Sequence, residues 1–229
     1  KFVIDFNIND LRTRMLQFRN LSLPDELLIK TYGLKDKREW KLSFARKKLA
    51  DDPDWDNYYQ KISYRPFDSR YIYYTPTMVD WGRYELMPNM LKENVGLITV
   101  RQVAEGKFNH CFISDTLVES RVTLSNKGIA YIFPLYLYDQ EKPNELFNQH
   151  KEDRESNLDP QLSKTINDTY NLIVQPEEIL EYIYAILYSN IYRETYADFL
   201  KFDFPRVPFT ADSALFQQMA ALGKRLVDL

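Results

Sequence analysis

Two short turns in the middle of the sequence carry side chains that can read the edges of bases. The stretch VRQVAEGKFNH places Arg101 and Gln102 after a strand-like apolar run and continues to Lys107 and Asn109. Arginine can pair with guanine through two hydrogen bonds, and glutamine or asparagine can pair with adenine in the same way. An ordinary polar hairpin would have a similar composition, so both interpretations stay open.

The second turn lies in the stretch ESRVTLSNKGIA and supplies Arg121, Ser125, Asn126 and Lys127. A surface turn that ends at a glycine is an equally good interpretation. Arg83, in the stretch WGRYEL, is a further candidate contact. If these side chains line one face of the folded chain, a role in reading DNA gains support. If they scatter, a role as a scaffold gains support.

The stretch YRPFDSRYIYY combines two guanidinium groups, one carboxylate and five aromatic rings. Cationic and flat groups suit phosphates and bases, but an Arg–Asp bridge in a core is the favoured interpretation. We therefore predict that Asp68 pairs with Arg65 or Arg70 and that this set is structural. Alternation along a strand puts Tyr71 and Tyr73 on one face, and we expect at least one of them to be buried.

The sequence lacks the residues that several kinds of catalytic site require. Two histidines, His110 and His150, and the single cysteine Cys111 cannot make a standard zinc site. The GxSxG elbow, the GxxxxGK phosphate loop and the GxGxxG motif are absent from the sequence. The sequence therefore predicts a binding module with no catalytic, cofactor or metal site of its own.

The composition is that of a protein with a large core. Hydrophobic residues make up 45% of the 229 residues, and no apolar run has membrane length, so we expect a soluble, cytoplasmic chain without a membrane partner. The net charge of −3 conceals a gradient, because residues 1–50 carry 12 basic against 6 acidic side chains and residues 140–229 carry 9 against 15. This gradient is consistent with one face that meets an anion.

The pattern of apolar residues predicts an α+β fold in three parts. Residues 1–55 form a basic helical arm, residues 56–139 a central, mostly antiparallel or mixed β core, and residues 140–229 a loop with C-terminal helices that pack on the same domain. Within the last part we expect a long loop over 140–176 with room for one helical turn, and then a buried helix that is interrupted at residues 189–190.

Local signals predict where the helices begin and end. In the arm we expect a helix over 9–20 capped by Asn9 and a second that is capped by Ser22 and ends at Gly33. A third helix over 38–50 should place Trp40, Phe44 and Leu49 on one side. We also expect one helix, or two short ones, in RYELMPNMLKEN, and a final amphipathic helix that is capped by Asp212 or Ser213.

Several segments occur together in one order: TYGLKDKREWKLSFARKKL, YRPFDSRYIYY, RYELMPNML, GLITVRQV, SNKGIAYIFPLYLY, YIYAILYSNIYRETYADFLKFDFPRVPF and LFQQMAALGKRLVDL. As a set they resemble the C-terminal specificity region of type ISP restriction-modification enzymes and related adenine-specific DNA methyltransferases. The resemblance implies a target-recognition domain in a long bacterial polypeptide that also joins a nuclease, a helicase-like motor and an N6-adenine methyltransferase.

The resemblance also implies the partners, which are double-stranded DNA and an upstream methyltransferase domain that binds S-adenosylmethionine. The NPPY-type catalytic motif and the glycine motif for that cofactor are absent here, so we expect this chain to be non-catalytic. Two hypotheses remain. The first is sequence-specific DNA recognition, and the second is a scaffold between domains of the same enzyme that has little DNA contact of its own.

Overall fold

The structure, a computed structural model, describes residues 2–37, 39–103, 105–123, 129–139 and 154–229. Seven α-helices and nine strands in these ranges confirm the predicted α+β class. The chain forms two compact units, Lys1–Pro88 and Asn89–Leu229. The division at residues 55 and 139 stays a prediction. Within the described ranges, every helix is too short or too polar to cross a membrane.

The first unit contains a small antiparallel sheet in the strand order β1-β3-β2. Its strands are β1 (Ile4–Asp5), β2 (Tyr59–Arg65) and β3 (Asp68–Tyr73). Ile72 pairs with both neighbouring strands, at Ile4 and at Gln60. The segment YRPFDSRYIYY is therefore a hairpin, and its second strand begins three residues before the predicted start at Tyr71.

Three helices pack on this sheet: α1 (Ile8–Arg19), α2 (Asp25–Tyr32) and α3 (Leu42–Ala50). Leu11, Met15 and Phe18 are buried, as helical spacing predicts. The expected cap at Asn9 is wrong. The side-chain oxygen of Asn7 accepts a hydrogen bond from the Asn9 backbone N–H at 2.9 Å, so the helix begins earlier.

Two further boundary predictions need correction. Helix α2 is capped at Pro24 and not by Ser22, although Gly33 ends it in the left-handed conformation (φ +63°), as expected. Helix α3 begins at residue 42 and not 38, and Phe44 is 69% exposed. Arg46 is buried on the inward face of α3, because its guanidinium donates to backbone carbonyls there.

The second unit contains a three-stranded antiparallel sheet in the order β5-β4-β7. These strands are β4 (Gly96–Val100), β5 (Cys111–Ser114) and β7 (Ala130–Pro134). Three shorter strands are β6 (Leu117–Val118), β8 (Tyr136–Tyr138) and β9 (Arg154–Ser156), of which the last two pair with each other. The helix that we expected in RYELMPNMLKEN is only a short 3₁₀ helix, Met87–Leu91.

The helices of the second unit are α4 (Pro160–Tyr170), α5 (Pro176–Tyr188), α6 (Asn190–Thr195) and α7 (Ser213–Val227). The interruption of the long helix is confirmed at Ser189, whose side chain caps α6. Asp212 caps α7, as predicted.

The long loop predicted over 140–176 is wrong for its second half, because α4 occupies much of it. The side chain of Asp159 accepts a hydrogen bond from the Gln161 backbone N–H at 2.7 Å, and Pro160 occupies the first turn. Ile166 and Tyr170 are the only buried residues of this helix, so its apolar pattern is weak in the sequence. Residues 140–153 lie outside the described ranges.

Helix α5 lies between α7 and the sheet. Its residues Tyr184 and Leu187 share a core with Val100 and Cys111 of the sheet. At Gly223 of α7 the two helices approach so closely that an added Cβ atom would lie 1.8 Å from the backbone oxygen of Glu181. The end of β4 therefore rests on a tightly packed helix pair.

Candidate nucleic-acid interface

The sheet of the second unit collects most of the predicted contact residues at one edge. Val100, the last residue of β4, pairs with Ala130, the first residue of β7, and Thr99 pairs with Cys111, the first residue of β5. Because β4 is antiparallel to both neighbours, the chain that leaves β4 lies beside the segments that enter β5 and β7. We call this end of the sheet, where the central strand β4 ends, the β4 edge. It is defined by its candidate residues, Arg101, Gln102, Lys107, Asn109 and Arg121.

Three backbone and side-chain contacts hold the start of this edge against the segment 201–203. The Val103 backbone N–H donates to the Lys201 carbonyl at 3.2 Å, and Gln102 Nε2 lies 3.5 Å from the Phe202 carbonyl. Arg101 Nε donates to Asp203 Oδ1 at 3.2 Å. The Arg101 side chain is 60% exposed, so this ion pair is accessible to water.

The charge on Asp203 is stabilised locally. Its pKa is lowered by a hydrogen bond from the Phe204 backbone N–H and, to a smaller extent, by Arg101. Asp203 is therefore ionised at neutral pH and competes with any anion for the guanidinium of Arg101.

Arg193, at the base of the edge, was missed by the sequence analysis. Its Nη1 donates to Asn109 Oδ1 at 3.4 Å, and its Nε donates to the Leu187 carbonyl at 2.6 Å. The Arg193 guanidinium also lies 4.7 Å from the ring centroid of Tyr188. Arg193 and Asn109 are 84 positions apart, so no local spacing could have linked them.

The remaining candidates of the two turns are exposed or lie outside the described ranges. The side chains of Lys107 and Arg121 are exposed. The Arg121 backbone N–H donates to Glu119 Oε2 at 2.9 Å. The Ala130 backbone N–H donates to the Ser120 carbonyl at 2.9 Å, which places Arg121 near the start of β7. Ser125, Asn126 and Lys127 belong to the residues that the structure leaves undescribed.

Arg83 belongs to the first unit, whereas the β4 edge belongs to the second. It is exposed and has a positive φ of 52°, and two residues before it Trp81 has a φ of 60°. The Tyr74 hydroxyl fixes this loop by donating to the Gly82 carbonyl at 2.6 Å. The Arg83 guanidinium lies 5.8 Å from the Trp81 ring centroid.

The predicted bridge at the β2–β3 hairpin is present. Arg70 donates to both carboxylate oxygens of Asp68, with Nε–Oδ1 and Nη2–Oδ2 distances of 2.9 and 2.7 Å. These hydrogen bonds lower the pKa of Asp68. Tyr73 is fully buried, as predicted for one of the two tyrosines, and burial raises the pKa of its hydroxyl.

The titratable groups near the sheet favour no reactive centre. Burial raises the pKa of Cys111 to about 12, so its thiol stays protonated at neutral pH. Burial also lowers the pKa of His110. In the part of the chain that the structure describes, no group of three or more His, Cys, Asp or Glu side chains is placed to hold a metal ion. What the β4 edge offers is hydrogen-bond donors and positive charge.

A second feature of this unit is apolar. Helices α5 and α7 border an open groove of about 580 Å³ whose lining includes Tyr188, Met219, Leu222, Leu226 and Leu229. Its chemistry differs from that of the β4 edge, because only Arg225 brings a charge to the lining.

Comparisons with known proteins place the chain in a family. The family model described as "Type ISP C-terminal specificity domain" matches residues 1–229. Curated proteins give no match. Among solved structures, the cryoEM structure of the DrdV–DNA complex is similar over 100% of this chain, with a TM-score of 0.70 and 20% identity.

Two further structures share the fold at similar identity. The ATP-dependent type ISP restriction-modification enzyme LlaBIII, bound to DNA, matches 99% of this chain with a TM-score of 0.69 and 19% identity. A nuclease-deletion mutant of the type ISP enzyme LlaGI, in complex with a DNA substrate mimic, matches 99% with a TM-score of 0.60 and 20% identity. This chain spans only 22%, 14% and 17% of the DrdV, LlaBIII and LlaGI chains, respectively. From the match along its whole length, the chain belongs to the family of type ISP C-terminal specificity domains.

Proposed function

We propose that this chain recognises the DNA target sequence for an N6-adenine methyltransferase within a bacterial, cytoplasmic restriction-modification enzyme. The observation that carries the proposal is the β4 edge, where two antiparallel pairings bring together side chains of types that can pair with base edges. The DNA complexes of the three similar enzymes support it. The chain itself is non-catalytic, and S-adenosylmethionine and methyl transfer belong to the upstream methyltransferase part of the same polypeptide.

The edge reads bases by exchanging weak internal contacts for contacts with DNA. An exposed ion pair such as that of Arg101 with Asp203 contributes little to stability, so Arg101 can leave it to pair with a base. Gln102 starts from a 3.5 Å contact, which is at the outer limit of a hydrogen bond. The backbone beneath both side chains remains fixed, because it is anchored to residue 201 and to helix α5.

Removing a residue that reads a base and removing a residue that binds phosphate should have different effects on DNA binding. In the native protein that carries this chain, Gln102→Ala should weaken binding to the preferred site by about 1–3 kcal/mol and relax one base position. Lys107→Ala should weaken binding to all sequences alike and reduce the salt slope by about one unit. Selection from random duplexes, followed by affinity measurements at several salt concentrations, separates the two.

Lys164→Ala is the matched control, since Lys164 is an exposed lysine of the same unit on helix α4, paired with Asp168 at 3.2 Å. It should leave both the selected sequence and the salt slope unchanged. If Arg101→Ala, Gln102→Ala, Asn109→Ala and Arg121→Ala all select the wild-type sequence with wild-type affinity, the recognition surface lies elsewhere and the proposal is wrong.

The α5–α7 groove supports a second candidate function, a scaffold that binds another domain of the same enzyme. Leu222 is half exposed on this groove. Leu222→Asp should then separate the domains, as measured by limited proteolysis of the native protein. If DNA selection stays normal in this variant while proteolysis changes, both functions belong to the chain. If proteolysis stays unchanged, the scaffold role of the groove is wrong.

A further inference from the structure

The tip of the β2–β3 hairpin presents an aromatic side chain for which the fold gives no packing reason. Phe67 is 101% exposed, so its ring buries no surface in the chain. It follows Pro66 in the two-residue connection between Arg65 and Asp68, which pair across the hairpin. A fully exposed phenylalanine at a loop tip contributes nothing to the core that would explain its presence.

The backbone at Phe67 is also unfavourable for this residue type. Its φ is +60°, a value that a bulky residue rarely adopts. A proline followed by a residue with positive φ is the combination of a type II turn, in which glycine or asparagine is the usual third residue. The chain therefore tolerates local strain to hold a phenylalanine at the tip. Such strain, observed and otherwise unexplained, motivates a functional hypothesis.

The base of the tip is rigid and carries positive charge. The register shifts between Ser63 and Arg65, so Tyr64 is an extra, bulged residue in β2. Two guanidinium groups contact its ring, with Arg65 at 4.2 Å and Arg70 at 3.9 Å from the ring centroid.

The Arg70 guanidinium also lies 4.0 Å from the ring centroid of Phe6. Asp68 binds the same guanidinium with two hydrogen bonds and offsets one of the two positive charges. Arg65 and Arg70 with Asp68 therefore leave the tip with a net charge of +1.

We propose that Phe67 is a DNA-binding residue that stacks on a base or wedges into a base step of duplex DNA. A two-stranded ribbon fits a groove of DNA, and apolar side chains that enter base steps unstack them. Every base has an aromatic face, so the contact is independent of sequence. The positive charge at the base of the tip favours the flanking phosphates. This inference rests on the proposed function, because it requires the chain to bind DNA.

Phe67→Gly in the native protein separates this role from a structural one. Glycine accepts the positive φ, so the melting temperature should be at least that of the wild type. Loss of base stacking should weaken binding by about 5- to 150-fold on preferred and unrelated duplexes alike. The salt slope should stay unchanged, since no charge is removed. Phe67→Trp, which keeps a flat ring, should restore most of the affinity.

The position of the ring is measured with duplexes of the selected sequence that carry 2-aminopurine at successive positions. Wild-type protein should raise the fluorescence at one step, and Phe67→Gly should abolish that rise. Phe44→Ala is the control, because Phe44 is a mostly exposed ring of the same unit, on α3. It should change neither affinity nor fluorescence.

The outcomes distinguish this inference from the proposed function. If the wild type binds no duplex, the proposed function fails. If the wild type binds and Phe67→Gly has the same affinity and the same fluorescence pattern, only the inference about Phe67 is overturned. It is also overturned if Phe67→Gly lowers affinity while the fluorescence rise persists, because the ring then acts on a protein surface.

Discussion

Arginines in the core of the first unit and arginines at the β4 edge are held in opposite ways. Arg46 is only 3% exposed, and it donates to the carbonyls of Phe18 at 2.9 Å and Leu23 at 2.8 Å. It also donates to the Asn20 carbonyl and pairs with Asp25. Arg101, by contrast, is mostly exposed.

This difference separates residues that build the protein from residues that can change partners. Removing a buried guanidinium strands the groups that it satisfied, whereas an exposed pair contributes at most about 1 kcal/mol. The β4 edge can therefore vary its contacts without a large cost in folding. A specificity domain needs such a surface on a rigid support.

The largest expected effect is the loss of Arg46. Arg46→Met keeps a long side chain but leaves the Phe18 and Leu23 carbonyls and the Asp25 carboxylate without their donor. We therefore expect the free energy of unfolding to fall by about 3–5 kcal/mol. Urea unfolding gives the value. Arg101→Met is the matched variant and should change stability by less than about 0.5 kcal/mol. Equal losses in the two variants would remove the contrast between the two regions.

The next effect tests the support beneath the β4 edge. Gly223→Ala should destabilise by about 1–3 kcal/mol, because its Cβ atom would overlap the Glu181 backbone oxygen and push α5 from α7. Helix propensity alone predicts the opposite sign, a gain of about 1 kcal/mol for Gly→Ala. The sign of the change in melting temperature therefore decides whether close packing of α5 and α7 holds the β4 edge in place.

The smallest expected effect is a pH dependence at the hairpin. Arg70 lowers the pKa of Asp68 below its ordinary value of 3.8. A carboxylate with a depressed pKa stabilises the fold above its unfolded pKa and loses that contribution as the pH falls through its folded pKa.

Asp68→Asn should accordingly melt below the wild type at pH 7, and the difference should shrink as the pH falls below 3.8. Melting curves at pH 7, 5 and 3 test this, with Asp80→Asn at an exposed site as the control. A difference that stays constant across this range would argue against the ion pair.

Sequence reasoning succeeded where local signals are strong. The spacing of Leu11, Met15 and Phe18 identified a buried helix face, and Gly33 and Asp212 marked helix ends. Whether the two turns meet was left open by the sequence, and it is the pairing of β4 with β5 and β7 that brings the described parts of both turns to one end of the sheet.

It failed where a distant partner decides the role of a residue. The burial of Arg46 depends on carbonyls that lie more than 20 positions away in the sequence. Because the side of α3 that carries Arg46 faces the core, Phe44 faces solvent. Asp203 is 102 positions from Arg101, so the ion pair at the β4 edge has no signature in the spacing of residues. Helix α4 was missed because only two of its eleven residues are buried.

The central claim is that the β4 edge selects the sequence while the hairpin tip binds any sequence. The direct measurement is the ratio of affinities for the selected duplex and a scrambled duplex, in the wild type, in Arg101→Ala/Gln102→Ala and in Phe67→Gly. The ratio should fall by roughly tenfold or more in the edge variant and stay at the wild-type value in the tip variant. An unchanged ratio in Arg101→Ala/Gln102→Ala would contradict the account.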